Sequence, residues 1–417
     1  MLDRSIAEHR ITREPPVLAE RRRQGLATYE TAAMPTAADE HWKYVDLDFT
    51  METQSLPAQM GAKMAPPTGV SRVSATVVDG FVEIDPEHPG SVEIARFDEV
   101  ARRNPELFSA VVASRSDDIF LAGNAAFAGD GLFIHVPRST AVETPIVIDI
   151  QSVSAGTISF PHIAISLGEN SEASIVLIFR SSEEELVVAP VVETTLGDAA
   201  RLSMTSVQTW GRQTKGLGYQ RVRLGRDSAM KMGEVGLGGA LGRLDLSVDL
   251  DGDGSSYLLN GLSFGDGDQV LDYRMVLNHR GRNTSSDVLL KGAVEDQAES
   301  IFTGLLRIEE HATNTSAFEN NRNLVLSAGA KAQSVPNLEI LCDDVVCGHG
   351  STVGPLEEEH LYYLASRGIG RERAERVLVK GFFDEVIDKL PSQSVAAPVR
   401  DEVERKFVAA QAAGRLG

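Results

Sequence analysis

The sequence predicts a mainly β fold, a β-solenoid core flanked by N-terminal and C-terminal helical regions, on three observations. Short apolar stretches alternate with Gly, Asn and Asp between about residues 71 and 354. Leu residues recur within that stretch at a near-constant spacing, and the segments outside it show helical periodicity. Leu167, Leu196, Leu224 and Leu250 lie 29, 28 and 26 residues apart. Gly168, Gly197, Gly225 and Asp251-Gly252 follow them, so each unit runs strand, tight turn, strand. A fixed period of this size marks units that cannot bury an apolar face alone and stack on their neighbours. Because the units are strands, a β-helix or a related solenoid follows. A sandwich, with turns every 8–12 residues or so, fits the same strands and stays open at this level.

Residues 1–70 make the first region. Pro15-Pro16 opens a helix from Val17 to Met34, rich in Ala, Leu, Glu and Arg, and Pro35 closes it. His41-Trp42-Lys43-Tyr44 sets an aromatic pair among charges, suited to anchoring a small N-terminal unit on the core. Met51 to Val70 has no period and reads as a linker. In the core, 71–354, Ile163, Ile165 and Leu167 alternate with Ala164 and Ser166, a half-buried strand pattern. In the last region, 355–417, Ala374, Val377, Leu378, Phe382, Val386 and Leu390 recur at helical spacing and Pro391 stops the segment. A second helix, Val399 to Ala413, follows. These helices either cap the stack or offer an apolar stripe to a partner.

The formal net charge of −20 disfavours nucleic acid and anionic membrane surfaces as partners. Cys342 and Cys347 are the two cysteines, too few and too local for a disulfide framework, which favours a reducing compartment. The N-terminus MLDRSIAEHRITREPP carries charges where a leader would be apolar, and no run of about 18 apolar residues occurs. A cytoplasmic protein without a membrane span is expected. Gly-Lys never occurs, so there is no P-loop. Asp249-Leu250-Asp251-Gly252-Asp253-Gly254 imitates half a calcium loop, but its twelfth position is Asn260, and a solenoid turn is the better reading. Neither a nucleophile elbow nor H-E-x-x-H is expected, and no stand-alone active site emerges.

The densest chemistry lies between Leu338 and Gly354. Cys347 and His349, two apart in a strand, face the same side. Thiolate and imidazole suit iron, zinc and iron–sulfur clusters, yet a stable site needs about four ligands. Another chain then supplies the rest, or Cys347 is a core residue and His349 is hydrogen-bonded in a turn. Cys342 is expected in the core, and His311, beside Glu309 and Glu310, in a solvated stretch.

The run CDDVVCGHGSTVGPLEEEHLYYLASRGIGRERAERVLVKGFF resembles the C-terminal signature of the SufB/SufD family of iron–sulfur cluster assembly proteins. The matching elements are Asp343-Asp344-Val345, Cys347, His349-Gly350, Thr352-Val353-Gly354, Tyr363-Leu364, Ser366-Arg367-Gly368-Ile369 and Gly381-Phe382. Asn278-His279, Lys291-Gly292, Phe302-Thr303-Gly304, Asn320-Asn321 and Pro336 to Ile340 also fall in family order, and the aromatic motif at His41 is similar to that of the SufD branch. The likeness covers nearly the whole chain and is strongest from about 278 to 383. Ser351 departs from the usual Ala, and Cys342 stands where a small residue is usual. The SufB branch receives sulfur on a Cys within its core; no Cys precedes residue 342 here, which points to the SufD branch.

The resemblance implies a right-handed parallel β-helix between helical ends, and a non-catalytic scaffold. It implies pairing with a SufB-like subunit and docking of a SufC-like ABC-type ATPase on the C-terminal helices, here through Leu361, Tyr362, Tyr363, Leu364, Arg367, Val377, Leu378, Phe382 and Phe383. It also implies a transient Fe–S cluster at the subunit interface, with His349 and Cys347 as this chain's ligands. Family complexes are associated with reduced flavin, for which no site is assigned on this chain. Without its partner the chain could self-pair through an exposed edge. The alternatives are a SufB-like homodimer holding a cluster itself and, from another class, a β-helix carbohydrate lyase or hydrolase. Aromatics at 6% and the charged N-terminus speak against the latter.

Overall fold

Leu167, Leu196, Leu224 and Leu250 stand side by side on four adjacent parallel strands. The computed structural model describes residues 2–113 and 118–412. In it this ladder begins one coil earlier, at Val136, and continues through His279, Ile308 and Ile340. Successive strands alternate between a 10-stranded and an 11-stranded sheet: Arg201–Thr209 lies in the first, Thr214–Leu224 in the second and Ala229–Gly236 in the first again. The result is a parallel β-solenoid of about eight turns. A sandwich is ruled out because each strand pairs with the strand one full coil away, in parallel. The antiparallel pairs are Ala75–Val78 with Phe81–Ile84 and Glu93–Arg96 with Leu132–Val136, where the stack starts.

The corners explain the glycine spacing. Asn170, Ala199, Asp227, Gly254, Asn283 and Asn314 all have positive φ and mark the same turn in successive coils. A Cβ at Gly252 would collide with the backbone of Arg226 in the coil below, so the stack is tight enough there to require glycine. The calcium-like run is this turn, and its Asp253 carboxylate accepts from the Arg282 amide of the next coil at 2.8 Å. Between the sheets Ile163, Ile165, Leu177, Val222, Val248 and Leu277 belong to the apolar core. Gly261-Leu262-Ser263-Phe264-Gly265 does spell the spacing of a nucleophile elbow, contrary to expectation. It lies wholly within the strand Ser256–Gly265, without the strand–turn–helix bend an elbow needs.

The N-terminal region is more helical than its sequence suggests. Arg4–Ile11 is a helix, and the expected long helix runs Pro16–Tyr29, ending short of Met34 where Tyr29 turns inward and is buried. Three further helices, Phe97–Arg103, Pro105–Val111 and Ile119–Phe127, fall in a stretch that read as strand-rich. Every residue of Ile119–Phe127 is buried, so it has no polar face to reveal a 3.6-residue period. Asp118 caps it, accepting from the amides of Phe120 and Leu121 at 2.8 Å. Trp42 anchors this layer as expected: its ring packs on Phe120 and carries the Arg243 guanidinium 4.0 Å above it. Arg243 also donates to the His41 carbonyl at 2.7 Å and pairs with Asp272.

Helices Glu358–Ser366, Arg371–Ile387 and Ala396–Ala412 close the chain. The last two lie along the outer face of the 10-stranded sheet, where Phe383, Val386, Ile387 and Leu390 pack against Val235, Leu262, Phe264 and Ala293. Lys406 reaches past them to Asp266 and Gln269. Among the described residues, no helix is long and apolar enough to cross a membrane.

Candidate functional site at the last coil

Val345–Gly354 is the edge strand of its sheet, hydrogen-bonded on one side to Thr315–Val325. Cys347 stands opposite Ala317 and His349 opposite Glu319. Ala317 and Glu319 are inward residues, so the alternation places Cys347 and His349 on the same inward face, as their spacing predicts. With no further coil above, that face is open and His349 is exposed. Cys347 packs with Leu306, Ile308, Ala312 and Cys342 at the end of the core. Burial there pushes its thiol pKa up, so a metal must displace the proton for it to act as a thiolate. Cys342 is buried, as expected; both thiols are free, and His311 sits exposed in the corner turn. Among the described residues no three His, Cys, Asp or Glu side chains converge on one point that could hold a metal ion.

Glu319 escaped the sequence reading. It is 1% exposed, its Oε2 has no hydrogen-bond partner, and burial raises its carboxyl to about 7. The signal was present in the two-residue alternation: Thr315, Ala317, Asn321 and Asn323 are inward, and Glu319 lies in phase with them.

The surface around the open end is apolar. Val346 is 66% exposed, and Phe318, Ile340, Leu341 and Val353 are also exposed. An uncovered edge strand with exposed apolar side chains is a template for a further strand.

The residues expected to dock an ATPase divide. Tyr362 is 77% exposed, Tyr363 and Val377 are exposed, and Arg367 lies 5.3 Å from the Tyr363 ring. Leu364, Leu378 and Phe382 are half-buried, and the Lys291 ammonium sits over Phe382. Leu361 and Phe383 are corrections, at 5% and 0% exposure. Phe383 lies on the helix face turned to the sheet and meets Phe264 at 5.7 Å, so it holds the helix down and has no surface to offer.

A separate cleft of about 830 Å³ lies between the N-terminal layer and the 11-stranded sheet, lined by Trp42, Tyr219 and Arg243 among others. Its floor is used internally: Tyr219 donates to Asp118 at 2.8 Å, and Arg243 is committed to Trp42 and Asp272. Below it, His162 joins Glu193 at 2.9 Å and Arg21 at 3.2 Å, tying the helix Pro16–Tyr29 to the sheet.

Two family models account for almost all of this architecture. Residues 150–382 match the SUF system FeS cluster assembly SufBD core domain, and residues 5–148 match the SufBD protein N-terminal region. An iron-sulfur cluster assembly SufBD family protein of Mycobacterium leprae is 36% identical over 282 residues, covering 66% of this chain and 71% of the relative. The iron-sulfur cluster assembly protein SufD of Bacillus subtilis is 31% identical over 288 residues, 68% of this chain and 65% of that protein. The SufD of Escherichia coli is 25% identical over 395 residues, 92% of each chain. A parallel solenoid with a thiol and an imidazole on its open last coil, matched along its length by these models, makes this chain a member of the SufB/SufD family of the SUF iron–sulfur cluster assembly system.

Proposed function

We propose that the chain is a SufD-type, non-catalytic scaffold that works in the cytoplasm. It joins a SufB-like subunit through its open last coil and docks a SufC-like ATPase on its C-terminal helices. His349, with Cys347, is offered to a nascent Fe–S cluster at the subunit boundary. The observation that carries this reading is the position of Cys347 and His349, two ligands of an incomplete set on an exposed edge strand. A partner strand added there brings the missing ligands to the same face. Tyr362, Tyr363, Arg367 and Val377 are the exposed residues that fit ATPase docking.

The test is expression with SufB-like and SufC-like chains. The wild type is expected to co-purify with both. His349→Ala is expected to co-purify equally well while the maturation of iron–sulfur enzymes in the same cells collapses. Normal maturation with that variant would remove His349 from the mechanism, and failure of the wild type to co-purify would remove the partnership. The same edge also serves self-pairing when the partner is absent.

A further inference from the structure

The apolar filling between the sheets is interrupted in the middle coils. Glu234 lies in phase with Met230 and Met232, and Gln220 in phase with Val222 and Leu224, so both point inward. They face each other across a cavity of about 40 Å³, which Ser206 and Tyr273 also line. Phe179 and Leu244 complete its apolar wall. Ser206 and the Gln220 amide donate to the two Glu234 carboxyl oxygens, each at 3.2 Å. Gln220 is only 4% exposed, yet its Oε1 has no partner among the described residues. A buried carbonyl oxygen left in that state costs stability unless a donor reaches it. The Tyr273 hydroxyl comes from the facing sheet to Gly236, where a Cβ would collide with it, so glycine there admits the phenol.

We propose that this cavity is a water-binding site, in which Gln220, Glu234, Ser206 and Tyr273 hold a small cluster of ordered water that ties the two sheets together. The chemistry of the lining selects the ligand. Gln220 Oε1 needs a donor. Burial lifts the Glu234 carboxyl to about 8, so near neutral pH the group keeps a proton and needs an acceptor for it. A cation donates no hydrogen bond to the first, and an anion offers none either, whereas water serves both. The size agrees: one buried water takes about 10–15 Å³ and two to four polar partners, so the cavity has room for about three. The coils on either side join their sheets by apolar packing, and here the joint is a hydrogen-bonded bridge.

The test is oxygen-17 magnetic relaxation dispersion of the full chain, which counts waters that exchange slowly with bulk. The double variant Gln220→Leu with Glu234→Met removes the two groups that need a water, and a cavity lined mainly by apolar groups stays dry. Its signal is expected to fall below that of the wild type by the equivalent of about two to three waters. An equal signal in the two proteins would overturn the assignment. A high-resolution crystal structure of the wild type decides the matter even where the variant does not fold. Water within hydrogen-bonding reach of Gln220 Oε1 is expected, and an interior without it would overturn the site. Neither readout involves Cys347, His349 or a second chain, so this site stands or falls apart from the scaffold function.

Discussion

The middle coils and the last coil share one architecture and differ in what they enclose. In the middle, Ile163, Ile165, Leu177, Val222 and Val248 fill the space between the sheets, and neighbouring coils cover them on both sides. At the end, the interior holds Glu319, Asn321 and Asn323, much as a middle coil holds Glu234 and Gln220, but here Ile340, Leu341, Val346 and Val353 are left exposed. The comparison separates two jobs within one repeat. The middle coils are covered on both sides, and the end leaves an edge strand and apolar side chains uncovered.

The sharpest break of this comparison is a cavity in the middle. Leu177→Ala, at a fully buried position, is expected to cost about 2–5 kcal/mol, read from a shift in the denaturant midpoint. A loss below 1 kcal/mol or so would mean the middle coils are not the stable unit.

Next in size is an acid limb set by His279. This imidazole occupies a place in the leucine ladder and is bonded to Thr284 at 2.8 Å and Ser286 at 2.9 Å. Burial lowers its pKa from the ordinary imidazole value of 6.5 to about 4. The unfolded chain therefore binds a proton between those values while the folded chain does not. The contribution is fully present above pH 6.5 and is lost as pH falls toward 4, by about 3 kcal/mol in all. His279→Leu, which matches the rest of the ladder, should flatten the stability curve across that window. An unchanged curve would show that another group sets the limb.

Smallest in stability is a change at the end. Val346→Asp, on an exposed side chain, should move the midpoint by no more than about 0.5 kcal/mol while abolishing association through the edge, read by size-exclusion chromatography with the SufB-like chain. A large loss of stability, or intact association, would erase the distinction between the two regions.

The same contrast marks what could be read from the sequence. The ladder was legible because Leu167, Leu196, Leu224 and Leu250 repeat one chemistry at one spacing. Its next member was hidden because His279 keeps the position and changes the chemistry. Ile119–Phe127 was illegible as a helix because it is apolar on every side. Cys347 and His349 were legible as a pair because strand alternation is local. Glu319 was not, since its relation to His349 depends on a register between strands 30 residues apart in sequence. Leu361 and Phe383 could not be told from Tyr362 and Val377, because a helical stripe shows which side is apolar and not what covers it.

The antiparallel pairs at the start of the stack have a consequence for assembly. Phe81–Ile84 and Glu93–Arg96, the edge strands there, are four residues long and run against their neighbours, so that end is blunt. Val345–Gly354, at the other end, is 10 residues long and runs with its sheet. A chain with one closed pole and one open pole cannot extend head to tail into a filament. Through its end strands it can pair with another chain only open pole to open pole, which uses up both edges. Polarity alone thus limits end-to-end growth through these strands to two solenoids.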